Sequence, residues 1–436
     1  MNTIVSRPLR CQGISIRSAA CCASVVGWAA SSLAAVTITD LGILTGGTNS
    51  YGYGVNANGT AVVGTADHTD DFGSGDRAFR WTVSGGMQDL GVLDGGASSG
   101  ASGISYDGNF VTGTSGYFGG THAFRWNAGS GIMEDLGELP GGSFHSSGGH
   151  AINASGDTVV GNSYSAVGYR AFRWRAVGGI ETLGQLPGGF NSNAMAVNAD
   201  GTIAAGLSDS PNGNRAFRWN AVEGMKSLGI LAGQASYGWA INGDGTVIVG
   251  KSDSVNGTEG FRWTAATGMV GLGLLPGSPY GSAHGVSADG SVIVGVSALP
   301  GFVGYHAFIW TSALGMKDLQ TYLPTLGVDL TGWTVSQALA ISADGTAITG
   351  NGVHNGKTRA FIIRGLFGGP ACPADLNHDG QVDDADFVIF LAAYNILDCA
   401  DQSMPANCPA DLNGDHFVDD ADFVLFVGAY DELLCP

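Results

Sequence analysis

One three-part phrase of about 45 residues recurs seven times between Ile38 and Ile363, and so long a period signals an array of like supersecondary units. Its first part is an apolar stretch broken by Asn, Asp or Ser followed by Gly, at Asn58-Gly59, Asp107-Gly108, Ser155-Gly156, Asp200-Gly201, Asp244-Gly245, Asp289-Gly290 and Asp344-Gly345. Its second part is an "AFRW" strand carrying Phe79/Trp81, Phe124/Trp126, Phe172/Trp174, Phe217/Trp219, Phe261/Trp263, Phe308/Trp310 and a last copy, Phe361/Ile363. The third part, "GMxDLG", centres on Leu41, Leu90, Leu136, Leu183, Leu228, Leu272 and Leu319.

Each part reads as strand. Asn-Gly and Asp-Gly tolerate positive φ at both positions of a two-residue turn, so the first part is a hairpin. In "RAFRW" side chains alternate, putting Phe79 and Trp81 on one face and Ala78 and Arg80 on the other. "GMQDLG" adds a fourth short strand, and "LDGG" or "LPGG" a glycine-rich crossover. Four antiparallel strands per unit predict the blade of a β-propeller.

The strand before each turn alternates small residues with one variable position, as in Gly52-Tyr53-Gly54 and Ala194-Met195-Ala196. Small residues allow another sheet to come close, which places this strand innermost. The ends of the array complement each other. Val36 to Gly42 is a third part with no second part before it, and Arg359 to Arg364 is a second part with no third part after it. Pairing Thr37–Leu41 with Ala360–Ile363 would close seven blades and leave no long exposed edge. An open solenoid is the alternative, and it would need capping repeats.

Composition agrees with an all-β array: 13% charged residues and 73 glycines favour short strands and tight turns over helices. Residues 1–35 hold Arg7, Arg10 and Arg17, then an apolar run ending in small residues, the pattern of a secretory signal peptide cleaved near Ala34 or Ala35. A membrane anchor is the rival reading, but the run is shorter than the ~20 residues of a span and includes Ser24, Ser31 and Ser32. The expectation is a secreted, extracellular or surface-associated protein with no membrane span after cleavage. The remaining segments are a propeller over 36–366, a linker over 367–371 and a small domain over 372–436.

Four cysteines lie outside the leader: Cys372, Cys399, Cys408 and Cys435. Three pairings are open, and the equal spacing of Cys372 to Cys399 and Cys408 to Cys435 favours one disulfide within each of two duplicated units. A zinc site is the alternative, unsupported by any CxxC pair. Residues 372–436 hold 14 acids and no Lys or Arg within a chain of net charge −19. That balance argues against nucleic acid, which needs concentrated positive charge, and for a divalent cation.

"DLNHDGQVDDAD" sets oxygen side chains at Asp375, Asn377, Asp379, Asp383 and Asp386, to which the Gln381 carbonyl would be added. "DLNGDHFVDDAD" repeats the pattern through Asp411, Asn413, Asp415, Asp419 and Asp422, with the Phe417 carbonyl. A hard cation takes six to eight oxygens on a turning twelve-residue loop, so two Ca2+ ions are expected. Each loop runs into an apolar helix, Phe387–Tyr394 or Phe423–Tyr430, which argues against a disordered acidic tail. His416 stands where the first loop has Gly380, and a side chain there weakens the expectation for the second site.

Two resemblances follow from these motifs. The phrases "RAFRW", "HAFRW" and "DLGxLPGG", with the closing "DLQTYLPTLGVDLTGWTVSQALAISADGTAITGNG", resemble the HAF-repeat family of bacterial extracellular proteins over residues 36–364. That resemblance implies export and repetition and supplies no catalytic residues. The histidine of the motif remains at His122 and His306, is Arg at 77, 170, 215 and 359, and is Glu259 in the fifth unit. The duplicated loop-helix units over 372–435 resemble a cysteine-framed dockerin of the planctomycete type. This implies docking to a cohesin-like module, with Asp384-Ala385 and Asp420-Ala421 at the positions that help choose the partner.

For the propeller, repeated acids read as turn formers or as partners of the repeated arginines Arg80, Arg125, Arg173, Arg218 and Arg262. Unrepeated groups are the better candidates: His68, Asp70, Asp71, His145, and the variable inner positions Tyr53, Ser102, His150, Met195, Trp239, His284 and Leu339. Such an aromatic and histidine lining suits a glycan or peptide, Tyr53, His150, Trp239 and His284 above all. The competing reading, which the residues taken singly favour, is that these side chains fill space between blades. The expectation is a noncatalytic ligand-binding propeller; a carbohydrate-active hydrolase or lyase, which for hydrolysis needs two carboxylates at one mouth, is the alternative.

Overall fold

A computed structural model describes residues 36–70, 73–366, 374, 376, 384–399, 401, 403, 404, 408, 410–412 and 417–430. Seven four-stranded antiparallel sheets form the propeller. In six blades the strands follow chain order from the inside outward. In the seventh, the outermost strand is Thr37–Asp40, paired with Lys357–Arg364 in the register Thr37 opposite Arg364 and Asp40 opposite Phe361. The expected closure is therefore observed, and no solenoid end remains.

The inter-blade core is made by the AFRW strands. Phe79, Phe124, Phe172, Phe217, Phe261, Phe308 and Phe361 are all fully buried. Phe124 and Trp126 of the second blade pack on Ala61, Val63 and Ala78 of the first, and Phe79 and Trp81 pack on Ala347, Ala360 and Ile362 of the seventh. Each fully buried Phe contributes about 1.5–3 kcal/mol, so the seven repeated Phe residues, six paired with Trp and the last with Ile363, contribute strongly to cohesion between sheets.

Two recurring hydrogen-bond staples join neighbouring blades, and the first is a serine that sequence reasoning missed. Ser99 Oγ accepts from the Ala78 amide of the preceding blade at 2.9 Å and donates to the Gly91 carbonyl at 2.5 Å. Ser147, Ser192 and Ser236 do the same toward Ala123, Ala171 and Ala216, and Ser50 does so toward Ala360. The second staple uses the repeated arginines. Arg80 Nε donates to the Gly108 carbonyl at 2.9 Å and Arg125 Nη1 to Gly156 at 3.0 Å, each in the next blade's turn. Arg125 and Arg173 also pair with Glu134 and Glu181, so these side chains serve structure rather than a binding ring.

The repeated aspartates divide into two roles. Asp107, Asp200, Asp244 and Asp344 accept backbone amides across their own turns. Asp135 and Asp318 accept from the motif histidines His122 and His306, both at 2.8 Å. Asp318 also caps a short helix, α1 (Leu319–Thr325), that buries Leu319 and Leu323 ahead of the seventh blade. That helix stands where the other units carry a plain crossover.

At the carboxyl end, α2 (Asp384–Tyr394) and α3 (Asp420–Tyr430) pack through Phe390 and Phe426, whose centroids lie 4.9 Å apart. Their ends are exchanged. Tyr394 donates to Asp420 at the start of α3, and Tyr430 donates to Asp384 at the start of α2. The duplicated units thus face each other through equivalent residues. Among the described residues, no helix is long and apolar enough to cross a membrane.

Candidate functional site

The seven inner strands share one irregularity. Each pairing register shifts by a residue, between Gly52 and Gly54, Ala101 and Gly103, Gly149 and Ala151, Ala194 and Ala196, Gly238 and Ala240, Ala283 and Gly285, and Ala338 and Ala340. The skipped residues are Tyr53, Ser102, His150, Met195, Trp239, His284 and Leu339. A bulge leaves one residue out of the ladder and re-aims its side chain. All seven consequently line the central channel, a cavity of about 530 Å3. The alternation of small and variable residues marked these positions in the sequence; the bulge that aims them was not visible there.

Small neighbours of the bulge are a steric requirement. A Cβ on Gly103 would come within 3.2 Å of the Ala151 Cα in the next inner strand, and one on Gly285 within 3.1 Å of the Ala340 Cα. The turn end of the channel is tied by a circuit of backbone bonds. Ala57 N–H donates to Tyr106 O, Tyr106 to Ala154, Ala154 to Ala199, Ala199 to Gly243, Gly243 to Ala288, Ala288 to Ala343, and Asp344 back to Ala57. The lining is therefore tied by backbone, and its variable part is the seven bulged side chains together with Tyr106, which stands where the other blades carry Ala or Gly.

Their chemistry concentrates in blades three to six. Trp239 lies parallel to Tyr237 with centroids 5.8 Å apart, and parallel to His284 of the next blade, also at 5.8 Å. Lys251 Nζ stands over the rings of Tyr237, Trp239 and Tyr280 at 4.8, 5.9 and 5.4 Å. Burial, with the Lys251 charge as the lesser cause, pushes the His284 imidazole down to about 4. Burial also lowers His150, opposed by a 2.8 Å hydrogen bond between its Nε2 and Asn162 Oδ1. Both rings are neutral at pH 7. Burial raises the Tyr53 and Tyr106 phenols, Tyr53 further by Tyr51 and Asp76. Trp239 Nε1 is sealed from solvent with no hydrogen-bond partner, a donor that a ligand oxygen could satisfy.

Among the described residues the channel lining includes no Asp, Glu, Lys or Arg side chain. It offers aromatic faces, neutral imidazoles, phenols and one indole donor.

Other candidates fall away from the channel. His68 and Asp70 extend the strand Ala61–Asp70 rather than sit in a loop, and His68 is buried; Asp71 lies outside the described residues. His145 is exposed and bonded to Glu138 at 2.9 Å.

In the carboxyl-terminal module, Asp375, Asn377, Asp379, Gln381, Asp383, Asn413, Asp415, Cys372 and Cys435 lie outside the described residues, as do the leader and linker. Asp386 and Asp422, the twelfth residues of the two loops, are fully buried. Asp422 Oδ1 accepts from the Leu412 amide at 2.8 Å and its Oδ2 from the Asp419 amide at 3.0 Å, so it pulls both ends of the second loop together. Asp384, Asp420 and Ala421 are exposed, and Phe417 bridges Asp398.

The cysteine pairing differs from expectation. Cys399 is bonded to Cys408, nine positions later, which rules out the pairs Cys372–Cys399 and Cys408–Cys435. Equal spacing reflects the duplication of the unit; the bond instead joins the end of the first unit to the start of the second. Asp411 lies beside both sulfurs, yet a disulfide offers no thiolate, so this trio is no zinc site.

Fold and channel together define a seven-bladed β-propeller protein. Among solved structures it is similar to oligogalacturonate lyase from Vibrio parahaemolyticus, with 10% identity, coverage of 75% of this chain and 93% of the other, and a TM-score of 0.50. It is also similar to TolB from Acinetobacter baumannii, with 13% identity, coverage of 70% and 80%, and a TM-score of 0.41. Such identities bear on fold alone. No protein-family model matches the sequence, and no curated protein is significantly similar to it.

Proposed function

We propose that this chain is an exported, noncatalytic propeller that binds a neutral glycan at its channel and is held to a surface or scaffold by its carboxyl-terminal module. One observation carries the first half. Phe recurs unchanged at all seven AFRW positions, while the seven bulged positions hold six different residue types and converge on one cavity. Spacers would repeat with the scaffold; a recognition surface varies over it. Parallel aromatic faces and neutral donors suit the apolar faces and hydroxyls of sugars. A channel lining without carboxylates among the described residues gives no support to hydrolysis by a carboxylate pair at that mouth.

The second half rests on the acidic loops. Asp386 and Asp422 are fully buried as the twelfth residues of two oxygen-rich loops, in a segment with no Lys or Arg, and loops of that length and composition suit a divalent ion. Asp375, Asn377, Asp379, Gln381, Asp383 and Asp386 would hold one Ca2+, and Asp411, Asn413, Asp415, Phe417, Asp419 and Asp422 the other. The ions would organise α2 and α3 for a cohesin-like partner. Screening the purified chain on a glycan array, beside a polysaccharide panel assayed for new reducing ends, tests the channel reading. Binding without product is expected; new reducing ends would reject the noncatalytic reading, and silence on every glycan would reject the ligand class.

A further inference from the structure

A second cavity, of about 350 Å3, opens between blades three and four, with Asn162, Tyr169, Asn191, Asn193 and Asn214 in its wall. Tyr169 and Asn193 lie near the strand ends away from the Ser-Gly and Asp-Gly turns, Asn191 and Asn214 just before their strands, and Asn162 within the second strand of blade three. Polar amides gathered at one notch are not a packing solution, because each brings a donor and an acceptor that must be met.

Three links join this notch to the channel. Asn162 Oδ1 bonds His150 Nε2 at 2.8 Å, and His150 lines the channel. Asn214 Nδ2 donates to the Tyr237 hydroxyl at 3.1 Å, and the Tyr237 ring is parallel to the channel residue Trp239. Asn193 and the bulged Met195 stand two residues apart on one inner strand, so a single strand contributes to both walls. Asn162 and Asn214 each turn one end of the amide toward these partners, which fixes how the other end is presented.

Two unsatisfied atoms mark the two cavities. Asn193 Oδ1 in the notch wall and Trp239 Nε1 in the channel wall are both shut off from solvent without a hydrogen-bond partner. The terminal torsion of an asparagine is broad, so Asn193 can turn its amide to an arriving hydroxyl. The notch carries one negative charge, Asp209, whose Oδ1 accepts the Phe190 and Asn191 amides at 2.6 and 2.8 Å and whose Oδ2 accepts from Asn191 Nδ2 at 3.2 Å. An anionic ligand finds no cation in this wall.

We infer that the notch is a second saccharide subsite beside the channel, coupled to it through these wall contacts, so that the ligand is a neutral oligosaccharide rather than a single sugar. One ring lies against Trp239, and a following residue offers vicinal hydroxyls to the amides of Asn193, Asn162 and Asn214. This rests on the glycan reading of the channel.

The test titrates the full-length protein by calorimetry with neutral oligosaccharides of one to six residues, taken from the series that scores on the array. Affinity rises at least tenfold from monosaccharide to trisaccharide. Asn193→Ala combined with Asn214→Ala removes that gain and leaves the monosaccharide within twofold, whereas Trp239→Ala weakens every length at least tenfold. Should the double variant melt early, Asn193→Ser alone carries the measurement, with a loss of at least threefold confined to the longer chains. Affinity indifferent to chain length, or notch variants that bind trisaccharide as wild type does, overturns the subsite while Trp239→Ala still reports on the channel. Failure of the wild type to bind any member removes both readings.

Discussion

Asp40, near the start of the propeller, accepts a 2.7 Å hydrogen bond from His354 Nδ1 of the last blade, 314 positions further along the chain. Arg359 Nε lies 3.5 Å from the same carboxylate. These contacts sit on a strand pairing that puts Ile38 opposite Ile363, with Ile38 packed against the core of the seventh blade. Closure therefore rests on apolar burial of Ile38 together with a part-buried cluster of Asp40, His354 and Arg359. Ile38→Asp is expected to lower stability by roughly 2–4 kcal/mol, since a charge would enter an apolar seam. Thr39→Asp, on the exposed face, should stay within about 0.5 kcal/mol. Urea denaturation of the two variants decides it; equal midpoints would refute the seam.

The channel imidazole His284 gives a pH dependence. Its folded pKa, lowered to about 4 chiefly by burial, lies below the ordinary value of 6.5. Between these values the unfolded chain binds more protons than the native one, so stability falls as pH drops from 6.5 toward 4 and is complete above 6.5. Replacing His284 by Gln should flatten that slope. Lys251→Met should raise the His284 pKa without restoring 6.5, because burial is the larger cause. NMR titration of the imidazole and denaturation at pH 7 and 4.5 measure both; a wild-type His284 titrating near 6.5 would overturn the assignment.

The propeller was legible because its rules are local. The hairpins fall where the sequence predicts them, but only Gly59 and its equivalents adopt positive φ, and the connection runs from Asn56 to Thr60, longer than the expected two-residue turn; the seven Phe residues bury as the alternation requires. Tyr53, His150, Trp239 and His284 were legible as variable positions among small ones. What the sequence hid is non-local: which side of the strand the bulge would choose, and how Asn162 of the second strand and Asn214, just before its strand, would reach His150 and Tyr237. The Ser99 and Ser147 staples look like ordinary strand residues until the neighbouring blade supplies Ala78 and Ala123. The cysteine pairing misled for a related reason, since a repeat in sequence need not be a unit of covalent closure.

Calcium removal should act through Asp422. Its carboxylate, fully buried, holds the Leu412 and Asp419 amides and so joins the two ends of the loop. Asp422→Ala is expected to abolish one of two calcium equivalents by calorimetry and to weaken the second by less than tenfold. Chelation should lower the melting temperature of a transition that Ca2+ restores, as linkage demands when binding occurs only in the folded loops. An unchanged melt with chelator would remove calcium from the proposal.

Non-reducing peptide mapping should recover Cys399 linked to Cys408. A bond closing so short a loop stabilises by about 3 kcal/mol in the chain-entropy model. Cys399→Ser with Cys408→Ser is expected to destabilise the helical module by that order and leave the propeller transition unmoved. Recovery of Cys372 linked to Cys399 would restore the pairing suggested by spacing.

Arg173 tests whether the arginine staples are structural. It is buried, lies 2.7 Å from Glu181, donates to the Gly201 carbonyl of the next blade at 3.4 Å, and stands 4.8 Å over the Trp219 ring. Arg175 reaches the same Glu181 at 3.3 Å from an exposed position. A charge-assisted bond in a partly desolvated seam is worth more than a solvated pair, so Arg173→Met should cost about 1.5–3 kcal/mol and Arg175→Met less than ~1 kcal/mol. Glycan binding should be unaffected by either, because neither side chain lines the channel. If Arg173→Met instead lost binding with its melting temperature intact, the ring of arginines would have to be reassigned from blade-to-blade contact to recognition.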